Sequence, residues 1–303
     1  MTTTDLIHGA LVADAAARGL HWLYDPARIA EIAARRGSAA FVPLDRANFA
    51  DAAGVFVHAE GTDGRQTQYG EALVLATRVI TECGGFNAGA YQDAYQAHFG
   101  AGGTYSGYID RPTRGTLDHL AAAITDPSGL EDEQLPAIAT LPAVVHAHGQ
   151  QADLETPVKA AIAVTNVHDE ARYYGSIAAR LMKLVGDGAE LKTALRASAD
   201  GHADLTAALD AKTDDSVAYG EVTGRACHLR QGVPLAFHIL ARADSYSDAV
   251  ERNIRAGGDS AGRAILVGAV AGAAFGIGGS RGIPLRWITQ TSSLGEITAL
   301  LGT

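Results

Sequence analysis

Apolar residues recur three and four apart along most of this chain, with alanine filling many of the remaining positions, and that period is the signature of amphipathic helices. Asp5 or a threonine before it can cap a first helix that runs through Arg18. Asp25-Pro26 opens a second through Arg36, because proline tolerates the first turn. The same pattern predicts helices over 68–83, 87–99, 113–124, 156–164, 169–185, 190–199, 224–242, 247–254 and 261–275. No stretch alternates apolar and polar positions for long enough to require a sheet. The expected fold class is therefore all-α: one multi-helix domain spanning 1–303.

Composition narrows the partners. The 303 residues are 47% hydrophobic and 19% charged, which suits a globular unit with a large core. A formal charge of -10 and the lack of any lysine or arginine run disfavour nucleic acid and anionic membrane as partners. Cys83 and Cys227 lie far apart in apolar surroundings and read as reduced core residues, which points to the cytoplasm. The N-terminal stretch, with Asp5 and Asp14, does not read as a signal peptide. The long uncharged run between Arg263 and Arg281 carries Gly268, Gly272 and Gly276 four apart, which predicts close packing against a neighbouring helix in a soluble core rather than a membrane span.

Chemistry concentrates between the helices. The segments 19–26, 61–71, 102–115, 165–175 and 257–263 each combine glycine with tyrosine, histidine, aspartate or arginine. Helix starts follow most of them, so their free amides are expected to favour an anion or an oxygen-rich ligand.

In order and spacing these segments resemble the ADP-ribosylglycohydrolase fold family, and within it the J1-crystallin and selenoprotein J branch. The likeness runs from "GALVADAAARG" at Gly9 through "GGDSAGRAILVGAVAGAAFGIGG" to "IPLRW" ending at Trp287. Hydrolytic members of that family have Gly-Asp near the start and a glutamate seven residues on; here Ala13-Asp14 keeps the aspartate and His21 stands at the glutamate position. Their Thr-Asp-Asp-Thr metal motif falls on Gln66, Thr67, Gln68 and Tyr69, with the dipeptide Thr62-Asp63 a few residues too early. Their Thr-His-x-His segment becomes Thr165, Asn166, Val167 and His168, and Gly-Gly-Asp-Thr-Asp-Thr becomes Gly257 to Gly262 with Asp259 as its one acid. The resemblance implies paired divalent ions that orient ribose hydroxyls and water. With ligands missing from both halves, the expectation is no metal cofactor, or one weakly bound Mg²⁺ at Asp259 and Asp14.

The resemblance nominates Asp14, His21, His168 and Asp259 as catalytic candidates. It nominates Trp22, Tyr24, Asp25, Gln68, Tyr69, Tyr105, Tyr108, Asp110, Ser260 and Arg263 as substrate-binding candidates. Each has a plainer alternative. Asp259 can simply cap the helix after it, Asp14 can be a satisfied buried acceptor, and His21, Trp22 and Tyr24 can form a core cluster. Arg263, four residues after Asp259, can serve as a counter-charge for Asp259 or Asp14 in place of metal. The implied activity is hydrolysis of a glycosidic bond in an ADP-ribosyl, ribosyl or related nucleotide-derived compound. The alternative is a non-catalytic ligand-binding or crystallin-like structural protein.

Overall fold

A computed structural model describes residues 3–58 and 64–302. The early dipeptide Thr62-Asp63 lies outside the described residues. Among the described residues there are sixteen α-helices and no strand, only isolated β-bridges such as Leu23 with Gly54. The helices are α1 (Thr4–Ala17), α2 (Pro26–Arg36), α3 (Gln68–Cys83), α4 (Ala88–Phe99), α5 (Arg111–Ala121), α6 (Leu141–His148), α7 (Glu155–Thr165) and α8 (Asp169–Gly186). They continue as α9 (Leu191–Ala199), α10 (Ala203–Asp210), α11 (Ser216–Thr223), α12 (Leu229–Arg242), α13 (Tyr246–Arg255), α14 (Ser260–Phe275), α15 (Leu285–Gln290) and α16 (Leu294–Leu301). None of the described helices is long and apolar enough to cross a membrane.

Caps explain the starts. Asp25 accepts from the Arg28 amide at 3.0 Å beside Pro26, and so opens α2 where the sequence placed it. Helix α5 begins at Arg111, two residues earlier than expected, because Asp110 accepts from the Thr113 amide at 2.9 Å and Pro112 fits the first turn. Helix α12 begins at Leu229 rather than at residue 224: Gly224 has φ +88° and ends α11 instead. Cys227 therefore lies in a loop, half-buried, and Cys83 is exposed at the end of α3, so neither is the core residue its neighbours suggested.

The centre of the molecule is the pair α1 and α14. Every residue of α1 is buried, as is α14 from Ser260 to Ala273. Their backbones meet through glycine. A Cβ added at Gly9 would sit 2.2 Å from the Gly268 carbonyl, and one at Gly272 would sit 2.4 Å from the Asp5 carbonyl. Gly268 and Gly272 thus do what their spacing predicted, while Gly276 has φ +72° and terminates the helix. Because Asp5 faces Gly272 and Ala13 faces Gly268, the two helices run antiparallel. The chain leaving α1 consequently returns to the start of α14, and the candidate residues converge there.

Candidate functional site

Gly257 and Gly258 adopt φ +76° and +70°, a region bulky side chains avoid. A Cβ at Gly258 would lie 2.0 Å from the Arg225 carbonyl, so the loop closes only with glycine there. Three backbone bonds clamp it: Trp22 N donates to Gly258 O at 2.9 Å, Gly258 N to Leu23 O at 2.9 Å and Asp259 N to Arg225 O at 2.9 Å. This clamp brings His21, just after α1 and its short 3₁₀ extension, against Asp259 at the start of α14.

Asp259 is fully buried and receives three donors. His21 Nε2 lies 2.9 Å from Oδ1, the Tyr69 hydroxyl donates to Oδ2 at 2.7 Å, and the Gly262 amide donates to Oδ1 at 2.9 Å. Burial opposes ionisation of this carboxyl, but the field of His21 and the bonds from His21, Tyr69 and Gly262 outweigh it and hold Asp259 below the usual aspartate range. Behind His21 stands His58, which no motif or helical period singles out. Its Nε2 is 2.7 Å from His21 Nδ1 and the rings stack at 4.9 Å. Burial, and next the neighbouring His21, keep His58 well below the ordinary histidine range. A chain of four side chains, His58, His21, Asp259 and Tyr69, is thereby continuous. The phenol of Tyr69 is pushed well up by burial and by Asp259, so it remains a donor.

Arg263 takes no part in that chain. Though fully buried, it donates from Nε to Asn253 Oδ1 at 2.7 Å and from one terminal nitrogen to the Asn253 and Gly257 carbonyls, both at 2.9 Å. Burial draws it down to about 10, against the opposing field of Asp259, so it stays a cation held by neutral oxygens. The expected Asp259–Arg263 ion pair is absent among the described residues; His21 occupies that role. The four-residue spacing along a helix gives proximity, but the carbonyls at the preceding turn capture the guanidinium first.

Asp14 makes a separate buried station. It accepts from the Thr67 amide at 2.8 Å and the Thr67 hydroxyl at 2.5 Å, so it fixes the start of α3. Burial pushes Asp14 up to about 7, with the Thr67 bonds resisting. Gly70 has to be glycine at that contact, since its Cβ would fall 2.4 Å from Asp14 Oδ2.

The remaining candidates divide. Trp22 holds φ +65°, strained for an aromatic residue; its ring meets Tyr108 edge-on at 5.0 Å, and its indole nitrogen is buried without a partner. Tyr24 lies half-buried, its phenol raised first by burial and then by Asp259. Gln68 reaches Asp110 at 3.5 Å, and Asp110, also buried and raised by that burial, feels the charge of Asp259 as well. Ser260 is buried with its hydroxyl unpartnered. By contrast, Asp25 caps α2, and the Tyr105 hydroxyl closes its own loop by donating to Tyr108 O at 3.0 Å. His168 caps α8 by accepting from Glu170 N at 3.1 Å and faces Glu131 at 3.8 Å; it shares no hydrogen bond with Asp14, His21 or Asp259.

Those caps overturn the expectation of free amides. The α14 start is taken by Asp259, the α5 start by Asp110, the α3 start by Thr67 and the α8 start by His168. Nor does the donor set suit paired divalent ions, since Asp14 and Asp259 are engaged by the chain's own donors and lie in separate networks. Among the described residues no three histidine, cysteine or acidic side chains gather as metal ligands. A cleft of about 480 Å³ opens between α4 and α5 beside Phe99 and Arg114 and shares no residue with the buried network.

The all-α fold thus sets a Gly-Gly-Asp turn at the start of the glycine-packed α14, against the end of the first helix. The sequence profile of the ADP-ribosylglycohydrolase family matches residues 3–302, and the chain belongs to that family. It is 27% identical to Crystallin J1A of Tripedalia cystophora over 96% of this chain and 92% of that one. It is 26% identical to Crystallin J1B of the same animal over 94% and 90%. A solved structure described as an ADP-ribosylglycohydrolase-related protein complex superposes with a TM-score of 0.71 at 20% identity, covering 98% of this chain and 96% of that chain, which shows the shared fold.

Proposed function

We propose that this chain is a binding protein for a small ribosyl or related nucleotide-derived compound, and that it carries out no two-metal hydrolysis. The observation that carries the reading is the engagement of Asp259 by His21, Tyr69 and Gly262. A general base needs a pKa near the working pH and a route to water, and a three-donor buried carboxylate has neither. Trp22 and Tyr108, in ring contact at 5.0 Å, supply an aromatic surface of the kind that packs on a sugar or base. The free thiols of Cys83 and Cys227 suit a reducing cytoplasm.

A second reading, glycosidic hydrolysis, is favoured by one feature. The chain from Asp259 through His21 to His58 can carry a proton away from the buried carboxylate. Isothermal titration with ribose-containing compounds tests the first reading, and chromatographic detection of aglycone release in the presence of EDTA tests the second. Binding without turnover is the expected result. Failure of every ribose-containing compound to bind would sink the proposal, and turnover insensitive to EDTA would transfer it to the second reading.

A further inference from the structure

Gln68 opens α3 and Asp110 caps α5, and the two side chains approach one another inside the protein at 2% exposure each. They are poorly matched. Gln68 Nε2 lies 3.5 Å from Asp110 Oδ2, the far limit of a hydrogen bond, and Gln68 Oε1 is buried with no donor at all. A buried amide oxygen in that position is costly unless something donates to it. Asp110 is little better served: its Oδ1 takes the Thr113 amide at 2.9 Å, and the charge pressing on it is that of Asp259, of its own sign.

Both residues border a cavity of about 10 Å³, whose wall also includes Thr140 and Thr165, buried at 4% and 5% exposure. The tyrosine hydroxyls of that wall are already committed: Tyr69 donates to Asp259 at 2.7 Å, Tyr91 to the Ala72 carbonyl at 3.2 Å and Tyr95 to the Thr113 hydroxyl at 2.9 Å. What the wall still offers is an amide oxygen, a carboxyl oxygen and two threonine hydroxyls. The space admits one water-sized group, so sugar and phosphate are excluded. A divalent ion would ask for about six oxygens and usually more than one carboxylate, and Asp110 is the one acid in the wall. An ammonium ion has only hydrogens to give and could take none from a threonine. A water molecule does both, with two hydrogens for the oxygens of Gln68 and Asp110 and a lone pair for a hydroxyl.

We infer that this cavity is a binding site for a single water molecule, which donates to Gln68 Oε1 and Asp110 Oδ2 and accepts from Thr140 or Thr165. The water joins the starts of α3 and α5 beside Tyr69, and so belongs to the frame that holds the Tyr69 hydroxyl on Asp259. On this assignment Gln68 serves the frame and not the ligand.

A high-resolution crystal structure of the full chain tests it, with Gln68→Met as the companion variant. One fully occupied peak is expected at about 2.6–3.0 Å from Gln68 Oε1 and from an Asp110 oxygen, the same in crystals grown from sodium and from potassium salts. In Gln68→Met, which removes the acceptor and keeps the length, the occupancy of that peak should fall at least about twofold. A wild-type cavity without density, a peak with anomalous signal after a thallium(I) soak, or a direct bond from Asp110 to Gln68 Oε1 that closes the cavity overturns the assignment. Undiminished occupancy in Gln68→Met does the same. Should that variant fail to fold, the wild-type density decides alone.

Discussion

His21 Nε2 lies 2.9 Å from Asp259 Oδ1, and both side chains are buried to the last atom. Because Asp259 is held ionised, His21 must present a hydrogen on Nε2. Its Nδ1 then either accepts from His58 or, with a second proton, donates to it. The Asp259 carboxylate is thus satisfied by the chain's own donors, with His58 backing His21 at 2.7 Å.

Asp259→Asn tests that arrangement. The amide nitrogen of asparagine would face His21 or Tyr69, both donors, so at least one buried donor loses its acceptor. The expected loss is about 1–3 kcal/mol in urea unfolding, well beyond the few tenths that exchanging one good cap for another costs. A change within about half a kcal/mol would reduce Asp259 to a helix cap.

Asp14 predicts a pH dependence of opposite sign to the usual carboxylate. Its folded-state pKa of about 7 exceeds the ordinary 3.8, so the native state binds the proton more tightly. The resulting stability is full below about pH 4 and is lost as pH rises through about 7. Neutral buried histidines such as His58 bend the wild-type profile the other way, because their lowered pKa disfavours folding in acid. The informative quantity is the difference between wild type and Asp14→Asn: the variant should lack the decline between pH 4 and 7. Parallel profiles across that window would contradict the assignment.

Gly9→Ala should be severe for so small a change. The new methyl would meet the Gly268 carbonyl at 2.2 Å, backbone against backbone, with no flexible side chain to yield. A loss of about 1–3 kcal/mol or more is expected from such overpacking, read as a fall in melting temperature. Gly295→Ala, where an added Cβ meets nothing within 4 Å, is the control and should leave stability unchanged or slightly raised.

Millimolar Mg²⁺ or Mn²⁺ should not raise the melting temperature, because an ion binding only the folded state stabilises in proportion to its occupancy. A large rise reversed by EDTA would mean that Asp14 or Asp259 exchanges its present donors for metal.

Helix periodicity and caps made most of the architecture readable. Asp25-Pro26 and the glycines of α14 stand where their chemistry placed them. Helix α6, LPAVVHAH, was not foreseen: it is short and buried from Leu141 to Val145, so it has little polar face to set a period. The short helices α10, α11, α15 and α16 escaped for want of length. Within the site, His21 and Asp259 were each singled out by their motifs, but the sequence pointed to Arg263 and not His21 as the partner of Asp259. The second partner of His21 was not singled out, since His58 sits in a stretch without helical period or motif and only tertiary contact selects it. Nor could spacing reveal that Arg263 would be taken by the Asn253 and Gly257 carbonyls.

The antiparallel seam of α1 and α14 also limits how this protein can change over evolutionary time. Gly9, Gly268 and Gly272 hold the two backbones at contact distance, and the end of one helix and the start of the other carry His21 and Asp259. No side chain lies between Gly9 and Gly268 to be exchanged for a larger or smaller one, so that wall of the site is a fixed reference edge. New ligand preferences must then arise away from that seam, in loops such as the one carrying Tyr105 and Tyr108, whose tip at Ser106 and Gly107 is exposed.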